Sequence, residues 1–219
     1  MSEPRTRLAL LTPHRVEAGD ADALAAALTA ACAAGDVAAV ILRLAPSDER
    51  SLVNLVKRVA PAAQGTGAAL VVACAGFSGD LVSVAARGGA DGVHLDKPRD
   101  GALAELRDRL DDGRILGAGG HEQKHAAMEA GEAGADYVMF GGLYADGVAP
   151  DAATVLDRAA WWTEIFETPC IAVAHAAGEV AALVDTGAEF LGLESALWMG
   201  EGADVAAIQA MVDAAGKAA

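Results

Sequence analysis

A chain of 219 residues that is 53% hydrophobic but only 4% aromatic has the size and apolar content of one compact α/β domain with an Ala-, Val- and Leu-rich core. A net charge of -15 and a pI of about 4.5 exclude a nucleic-acid backbone or an anionic bilayer as partner unless a basic patch intervenes, and the sequence contains no such patch. Cys32, Cys74 and Cys170 are odd in number, far apart and without metal-ligand spacing, and no apolar run has the length of a secretory leader or a membrane span, so the expected setting is a reducing cytoplasm.

In chain order, the run RLALLTP from Arg7 reads as a first strand, followed by the Ala-rich amphipathic stretch ADALAAALTAACAA. GDVAAVIL from Gly35 is a helix exit feeding a strand: glycine tolerates the left-handed conformation after the last helical turn, and the β-branched residues that follow prefer a buried, pleated setting. DERSLVNLVKR then alternates acids and bases as a solvated helix face does, before the strand AALVVACAG from Ala68. GADGVHL from Gly89, the charged helix within LAELRDRLDDGR, and GRILGAGGH from Gly113 continue the alternation. EQKHAAMEAGEA, GADYVMF from Gly134, PCIAVAHA from Pro169 and GAEFLGL from Gly187 complete it.

These are eight candidate strands whose apolar runs are nearly continuous, as parallel strands covered by helices require. Spacings of roughly 20 to 30 residues leave one helix per crossover. The fold expected is a single (β/α)8 TIM barrel over residues 1–219, with loose ends at the extreme N-terminus and in AAGKAA. An open doubly wound sheet would carry a glycine fingerprint after its first strand, where this chain has Thr12-Pro13-His14.

In a barrel of this kind the working residues lie at the C-terminal ends of the strands. Those positions hold Thr12 and His14, Arg43, Cys74, Asp96 and Lys97, the turn from Gly117 to His121, Gly141 and Gly142 with Tyr144 and Asp146, His175, and Glu194 with Ser195. The turn Gly117-Ala118-Gly119-Gly120-His121 reads either as an anion cradle of free backbone N–H groups or as a tight turn that only needs small residues. His121 is either a general acid–base group or a helix-start residue facing water. Lys97 and Arg43 project from the rim in this reading, each either neutralising a bound phosphate or standing as a solvated charge, and His94 fills the barrel interior. Ser195 and His175 close the eighth and seventh strands, whose loops commonly build a phosphate site, while Glu194 is read as a helix cap.

The motifs GADGVHL, the glycine-rich fifth-strand turn ending in His121, AGADYVMFGG, PCIAVAHA and FLGLESALW follow one another at spacings that resemble the thiamine phosphate synthase and TenI family along almost the whole chain. The resemblance implies a transferase that joins a pyrimidine diphosphate to a thiazole phosphate with Mg2+ on the diphosphate, or, in the TenI branch, a thiazole tautomerase whose catalytic histidine matches His121. Of the family's positions the chain keeps Arg43, the barrel glycines including Gly120 and Gly141, His121 and Ser195; together with the strand-end reading this gives Arg43, Lys97, Gly119, Gly120, Gly141 and Ser195 as candidate substrate or phosphate contacts and His121 and His175 as candidate catalytic groups.

Several positions depart from the family. Ile41 and Ala45 stand where a synthase has Gln and Lys around Arg43, and Ala73-Cys74 stands where it has Asn-Asp. The fourth-strand pattern His-Leu-Gly-Gln with a following metal-binding Asp becomes His94-Leu95-Asp96-Lys97-Pro98-Arg99, with Asp96 and Asp100 as out-of-register substitutes. Gly119 replaces a serine, GGLYADGVAPDAA lacks the Thr-x-Thr-Lys loop, and Ala174-His175 replaces Gly-Gly. No metal ligand set is therefore assigned, although the resemblance implies Mg2+. The expected partner is a small phosphorylated metabolite of thiamine biosynthesis, and Trp161-Trp162 reads either as an exposed pair at a homo-oligomer contact or as a pair of which one ring packs under a barrel helix. Two alternatives stay open: a non-catalytic binding or regulatory barrel, and a different small-molecule enzyme drawing on His121, His175, Asp96 and Lys97.

Overall fold

A computed structural model describes residues 5–110, 113–142 and 148–216. The loop positions Tyr144 and Asp146 lie outside the described residues, as do the outermost positions of both ends expected to be loose. The elements run β1 (Arg7–Leu11), α1 (Ala21–Ala34), β2 (Val37–Arg43), α2 (Glu49–Gln64), β3 (Ala69–Ala73), α3 (Leu81–Gly88), β4 (Gly92–Asp96), α4 (Ala102–Arg109), β5 (Ile115–Gly119) and α5 (Lys124–Glu132). They continue with β6 (Tyr137–Phe140), α6 (Ala152–Ile165), β7 (Cys170–Ala174), α7 (Val180–Val184), β8 (Phe190–Leu193), α8 (Ser195–Trp198) and α9 (Val205–Ala215).

The eight strands pair in sequence order and close into a barrel. Every pairing is parallel, including the closing one between β1 and β8, in which Arg7 to Leu10 lie opposite Phe190 to Leu193. The eight-stranded (β/α)8 expectation is met, and each strand coincides with one of the apolar runs.

Strand alternation divides the core in two. Leu8, Leu10, Val40, Leu42, Leu70 and Val72 point outward to the helices, whereas Ala9, Leu11, Ile41, Val71, Tyr137 and Met139 fill the barrel. The interior is mostly aliphatic, and Tyr137 is the large ring in it. Its space comes from Gly117 on the neighbouring strand, where a Cβ would overlap the Tyr137 ring.

Of the two readings of the tryptophan pair, the one with a single ring packed inward holds. Trp162 is buried beneath α6, stacked on Phe166 with centroids 4.2 Å apart and donating its indole N–H to the Thr168 carbonyl at 2.7 Å. Only Trp161 reaches toward the surface, half-buried with the Lys124 ammonium 5.0 Å from its ring. The helical spacing that sends Trp162 inward turns its neighbour by about 100° toward solvent.

Several helices begin on an aspartate whose carboxylate accepts the orphan N–H groups of the first turn: Asp48 for α2, Asp80 for α3, Asp151 for α6 and Asp204 for α9. Part of the chain's acidity is thus structural.

Candidate functional site

Because all strands are parallel, their C-terminal ends share one mouth, and Arg43, Lys97, His121, His175 and Ser195 stand at or just beyond those ends. They do not form one cluster. The mouth has two polar centres, one over β1, β2 and β8 and one over β4, β5 and β6.

The first centre is an ion pair. Arg43 ends β2 with its guanidinium buried, and its two terminal nitrogens donate to the two carboxylate oxygens of Glu194 at 2.7 Å each. The Nε–H donates to the Thr12 carbonyl at 2.6 Å, while the Thr12 hydroxyl accepts the Arg43 backbone N–H at 2.9 Å. Glu194 also accepts the backbone N–H of Ser195, as the expected helix cap does. The rim position expected for Arg43 is therefore corrected: its charge is buried and met by Glu194 from β8's end. Local sequence around β2 cannot reveal a partner that follows it by 151 positions.

The second centre is built around Asp96. His94, fully buried, lies between Tyr137 and Asp96, with Nδ1 2.9 Å from the Tyr137 hydroxyl and Nε2 3.2 Å from Asp96 Oδ1. Burial and the nearby carboxylates of Asp96 and Asp136 push the Tyr137 phenol well above its ordinary pKa, so it keeps its proton. An ionised carboxylate only accepts, so His94 Nε2 donates to Asp96. Burial opposes ionisation of Asp96, but the charge and hydrogen bond of His94, with the charges of Arg43 and His14, outweigh it and hold its pKa below the usual carboxylate value. His94, read from the sequence as an interior residue, is interior and also links Tyr137 to Asp96.

His121 follows β5 and is buried, and its Nε2 has no hydrogen-bond partner among the described residues. Burial, then the charge of His94, lowers its pKa to about 4 against the opposing effects of the Ala118 carbonyl and Asp96, so the ring is neutral at pH 7. A ring hydrogen-bonded to the Ala118 carbonyl carries its proton on that side, which leaves a lone pair on Nε2. Of the two sequence readings, the water-facing helix start does not hold: His121 faces inward.

His175 closes β7 and is tied down. Its Nε2 lies 2.6 Å from the Gly141 carbonyl, to which it must donate, and its backbone N–H donates to Glu179. Among the described residues His121 and His175 share no hydrogen bond, so they do not form a direct pair. Lys97 takes a positive φ of 46° and pairs its ammonium with Glu122, turning along the rim. Ser195 opens the four-residue α8, half-buried.

The turn after β5 is compressed. A Cβ at Gly120 would come within 2.9 Å of the Lys97 backbone nitrogen, and its φ of +68° also favours glycine. Gly119 is equally constrained, by Asp96 and His94. Beside the mouth a cleft of about 420 Å3 opens between the loops after β4 and β5, lined by Lys97, Arg99, Gly120, His121 and Gln123. The residues near it do not suit Mg2+, which takes several oxygens in octahedral array: one Asp96 oxygen is held by His94, and Arg99 pairs with Glu105 at 2.5 Å. Among the described residues no group of three His, Cys, Asp or Glu side chains is placed to hold a metal ion.

Tyr137 was not singled out from the sequence, and Arg43 was read as a phosphate contact or solvated charge without Glu194 as its partner. The available signal for Tyr137 was the alternation of Gly117 and Gly119, which clears one face of β5 for neighbours on β4 and β6. No helix of the described chain is long and apolar enough to cross a membrane.

The sequence model of a family described as thiamine monophosphate synthase matches residues 8–197. A thiamine-phosphate synthase of Rhodospirillum centenum is 37% identical over 194 residues, covering 88% of this chain and 89% of that protein. One of Erythrobacter litoralis is 34% identical over 217 residues, covering 97% and 96%. Among solved structures, a thiamine phosphate pyrophosphorylase from Pyrococcus furiosus superposes with a TM-score of 0.72 at 19% identity, covering 97% of this chain and 98% of that one, a likeness of fold.

Proposed function

This chain belongs to the thiamine monophosphate synthase family, and from that premise we propose that its barrel mouth binds a small phosphorylated metabolite of thiamine biosynthesis, with His121 as the proton-transfer group and the metal–diphosphate chemistry reworked. The observation that carries this reading is the lone pair of His121 Nε2, buried at the mouth without a partner among the described residues, on a ring that is neutral at pH 7. A buried, unpaired nitrogen is costly unless a ligand group meets it. In that role Nε2 accepts a proton from a bound ligand and returns it, while the Ala118 carbonyl holds the other side of the ring.

Phosphate is assigned to the backbone donors around Gly119 and Gly120 and to Ser195, with Lys97 and Gly141 at the edges of the ligand site. His175 is assigned to shaping the wall at Gly141 by its hydrogen bond. Arg43 supports the mouth through Glu194 in place of a direct phosphate contact.

Synthase chemistry stabilises a departing diphosphate, and here Arg99 stands at a carboxylate position, Ala73-Cys74 at an Asn-Asp pair, and Arg43 is already matched by Glu194. Losses of about 3 kcal/mol at each of several supports would slow that reaction by orders of magnitude. The reading is tested by incubating the purified chain with the pyrimidine diphosphate and the thiazole phosphate, with and without Mg2+, beside a calorimetric titration of the thiazole phosphate. Saturable binding with little or no product is the expected result. Turnover at ordinary enzyme rates would overturn the reworked-site reading, and failure to bind the thiazole phosphate would overturn the ligand assignment.

The Arg43–Glu194 pair favours a second reading, a barrel that binds its ligand without transferring a group, because a matched charge pair leaves the mouth less cation to offer a leaving group. The same incubation separates the two if His121→Ala abolishes a proton exchange on the bound ligand, seen by deuterium incorporation, in one and there is no exchange to abolish in the other.

A further inference from the structure

The segment that carries His121 from β5 to α5 has no regular structure and few anchors. It leaves the strand through Gly120, and Gln123, at the start of α5, supplies no side-chain cap. One side chain holds it from outside. Arg158, on α6, donates from Nη1 to the His121 carbonyl at 2.8 Å and from Nη2 to the Glu122 carbonyl at 2.6 Å, and no other donor reaches either carbonyl among the described residues. Arg158 is half-buried and makes no ion pair among those residues, although carboxylates stand close by: Asp157 pairs with Lys124 at 2.8 Å, and Glu122 turns its side chain to Lys97. A rigid fork committed to two successive neutral carbonyls acts on the backbone and not on a charge.

The His121 ring itself is held on one side only, by the Ala118 carbonyl, and its Nε2 stays open. The direction of the His121 carbonyl fixes ψ of the residue that bears the ring, and the Glu122 carbonyl fixes the next peptide plane. We propose that Arg158 is a positioning residue whose guanidinium fork locks these two peptide planes and so keeps His121 Nε2 turned into the barrel mouth. Its consequence for catalysis rests on the reading of His121 as the proton-transfer group, whereas the placement of the ring does not. Arg158 is absent from the lining of the cleft beside the mouth, so it works through the backbone. Behind burial and His94, its charge is also a smaller cause of the lowered His121 pKa.

Removing the fork and removing the charge have different signatures. Lysine keeps a charge but ends short of the guanidinium nitrogens and at a single point, so a role through charge survives Arg158→Lys and a role through the fork does not. In Arg158→Ala the vacated space can take a small cation from solution: methylguanidinium supplies the fork again, and methylammonium supplies only charge. The charged and titratable groups facing the ring are His94 and Asp96 from β4 and Arg158 from α6, with the Lys97–Glu122 pair next to it, and these substitutions touch only Arg158.

The full-length chain, Arg158→Ala and Arg158→Lys are labelled with 15N in the imidazole rings and followed by NMR as pH is lowered from neutral, the His121 signals being assigned by their loss in His121→Gln. The wild type is expected to show a protonated Nδ1, a bare Nε2 and a pKa of about 4. In Arg158→Ala the two tautomers should exchange and the pKa should rise by about one unit or more toward 6.5. Methylguanidinium should restore both properties, methylammonium neither, and Arg158→Lys should resemble the alanine variant. The inference is overturned if Arg158→Ala keeps the wild-type tautomer and pKa, whatever its thermal stability. It is equally overturned if methylammonium or lysine restores the ring, or if methylguanidinium does not. Should Arg158→Ala fail to fold, the lysine variant carries the same decision. Deuterium exchange on bound thiazole phosphate separates this inference from the reading it deepens: if exchange is indifferent to His121→Ala while Arg158→Ala displaces the ring, the proton-transfer reading falls and the positioning role stands. If exchange needs His121 but Arg158→Ala leaves ring and exchange intact, the positioning role alone falls.

Discussion

Arg43 and Glu194, at the ends of β2 and β8, meet through two parallel contacts of 2.7 Å in a setting where both side chains are more than nine-tenths buried. The pair crosses from one side of the barrel seam to the other, with β1 between its two strands. Geometry of this quality offsets the desolvation of the two ions, and the cost appears when one partner is removed.

Glu194→Ala is expected to lower stability by about 3–5 kcal/mol, because the Arg43 charge is left buried with only the Thr12 carbonyl. Replacing both, Arg43→Met with Glu194→Leu, is expected to cost much less than the single change. Urea denaturation of the two single variants and the double variant measures this; a double variant as unstable as the sum of the singles would show that the pair is not coupled.

His121 makes stability depend on pH with a definite sign. Its folded pKa of about 4 lies below the ordinary value of 6.5, so the unfolded chain binds more protons in between. The contribution is complete above about pH 6.5 and is lost as pH falls toward 4, by about 2 kcal/mol between pH 7 and pH 5. Unfolding curves at these two pH values should show a drop that is smaller by that amount in His121→Gln. An equal drop in both proteins would mean the ring is not held neutral.

Gly119→Ser should lower stability by about 1–3 kcal/mol, since the added atoms collide with Asp96 and His94. Removing the Asp96 half of the obstacle with Asp96→Gly in the same chain should restore part of that loss, the rest staying with His94. A double-mutant cycle followed by thermal unfolding checks it, and additive effects would sever the link between the two positions.

His175 and Ala174 stand where bare backbone would serve an anion better, and the His175 ring is engaged with the Gly141 carbonyl. Changing both to glycine is expected to strengthen binding of the thiazole phosphate, by roughly 1 kcal/mol or a fivefold change in Kd. Calorimetric titration of both proteins decides this, with unchanged affinity placing the phosphate elsewhere.

The barrel was legible because the strands are nearly continuous apolar runs that alternate with amphipathic helices, a pattern that short-range chemistry writes directly into sequence. The mouth was half legible. Strand ends located Asp96, His121 and His175, but whether a charge is free depends on what faces it across the barrel. Arg43 was read as a rim charge because its partner comes from β8. Asp96 was found, but its dependence on Tyr137, His94 and Gly119 arises only when β4, β5 and β6 lie in register. Trp162 shows the same limit on the outer layer, where adjacent residues of one helix meet opposite environments.

The closing pair of strands carries a consequence for biosynthesis. Strand β1 hydrogen-bonds β2 on one side and β8 on the other, and Arg7 waits for Phe190, 183 residues later. On the ribosome, β1 therefore keeps a bare edge until almost the whole chain has emerged, and at about 5–20 residues per second that interval lasts on the order of ten seconds or more. An unpaired strand edge invites pairing with another nascent chain. Strand β1 is enclosed only when β8 arrives, so a stalled or truncated product lacking β8 would leave that edge open to another chain.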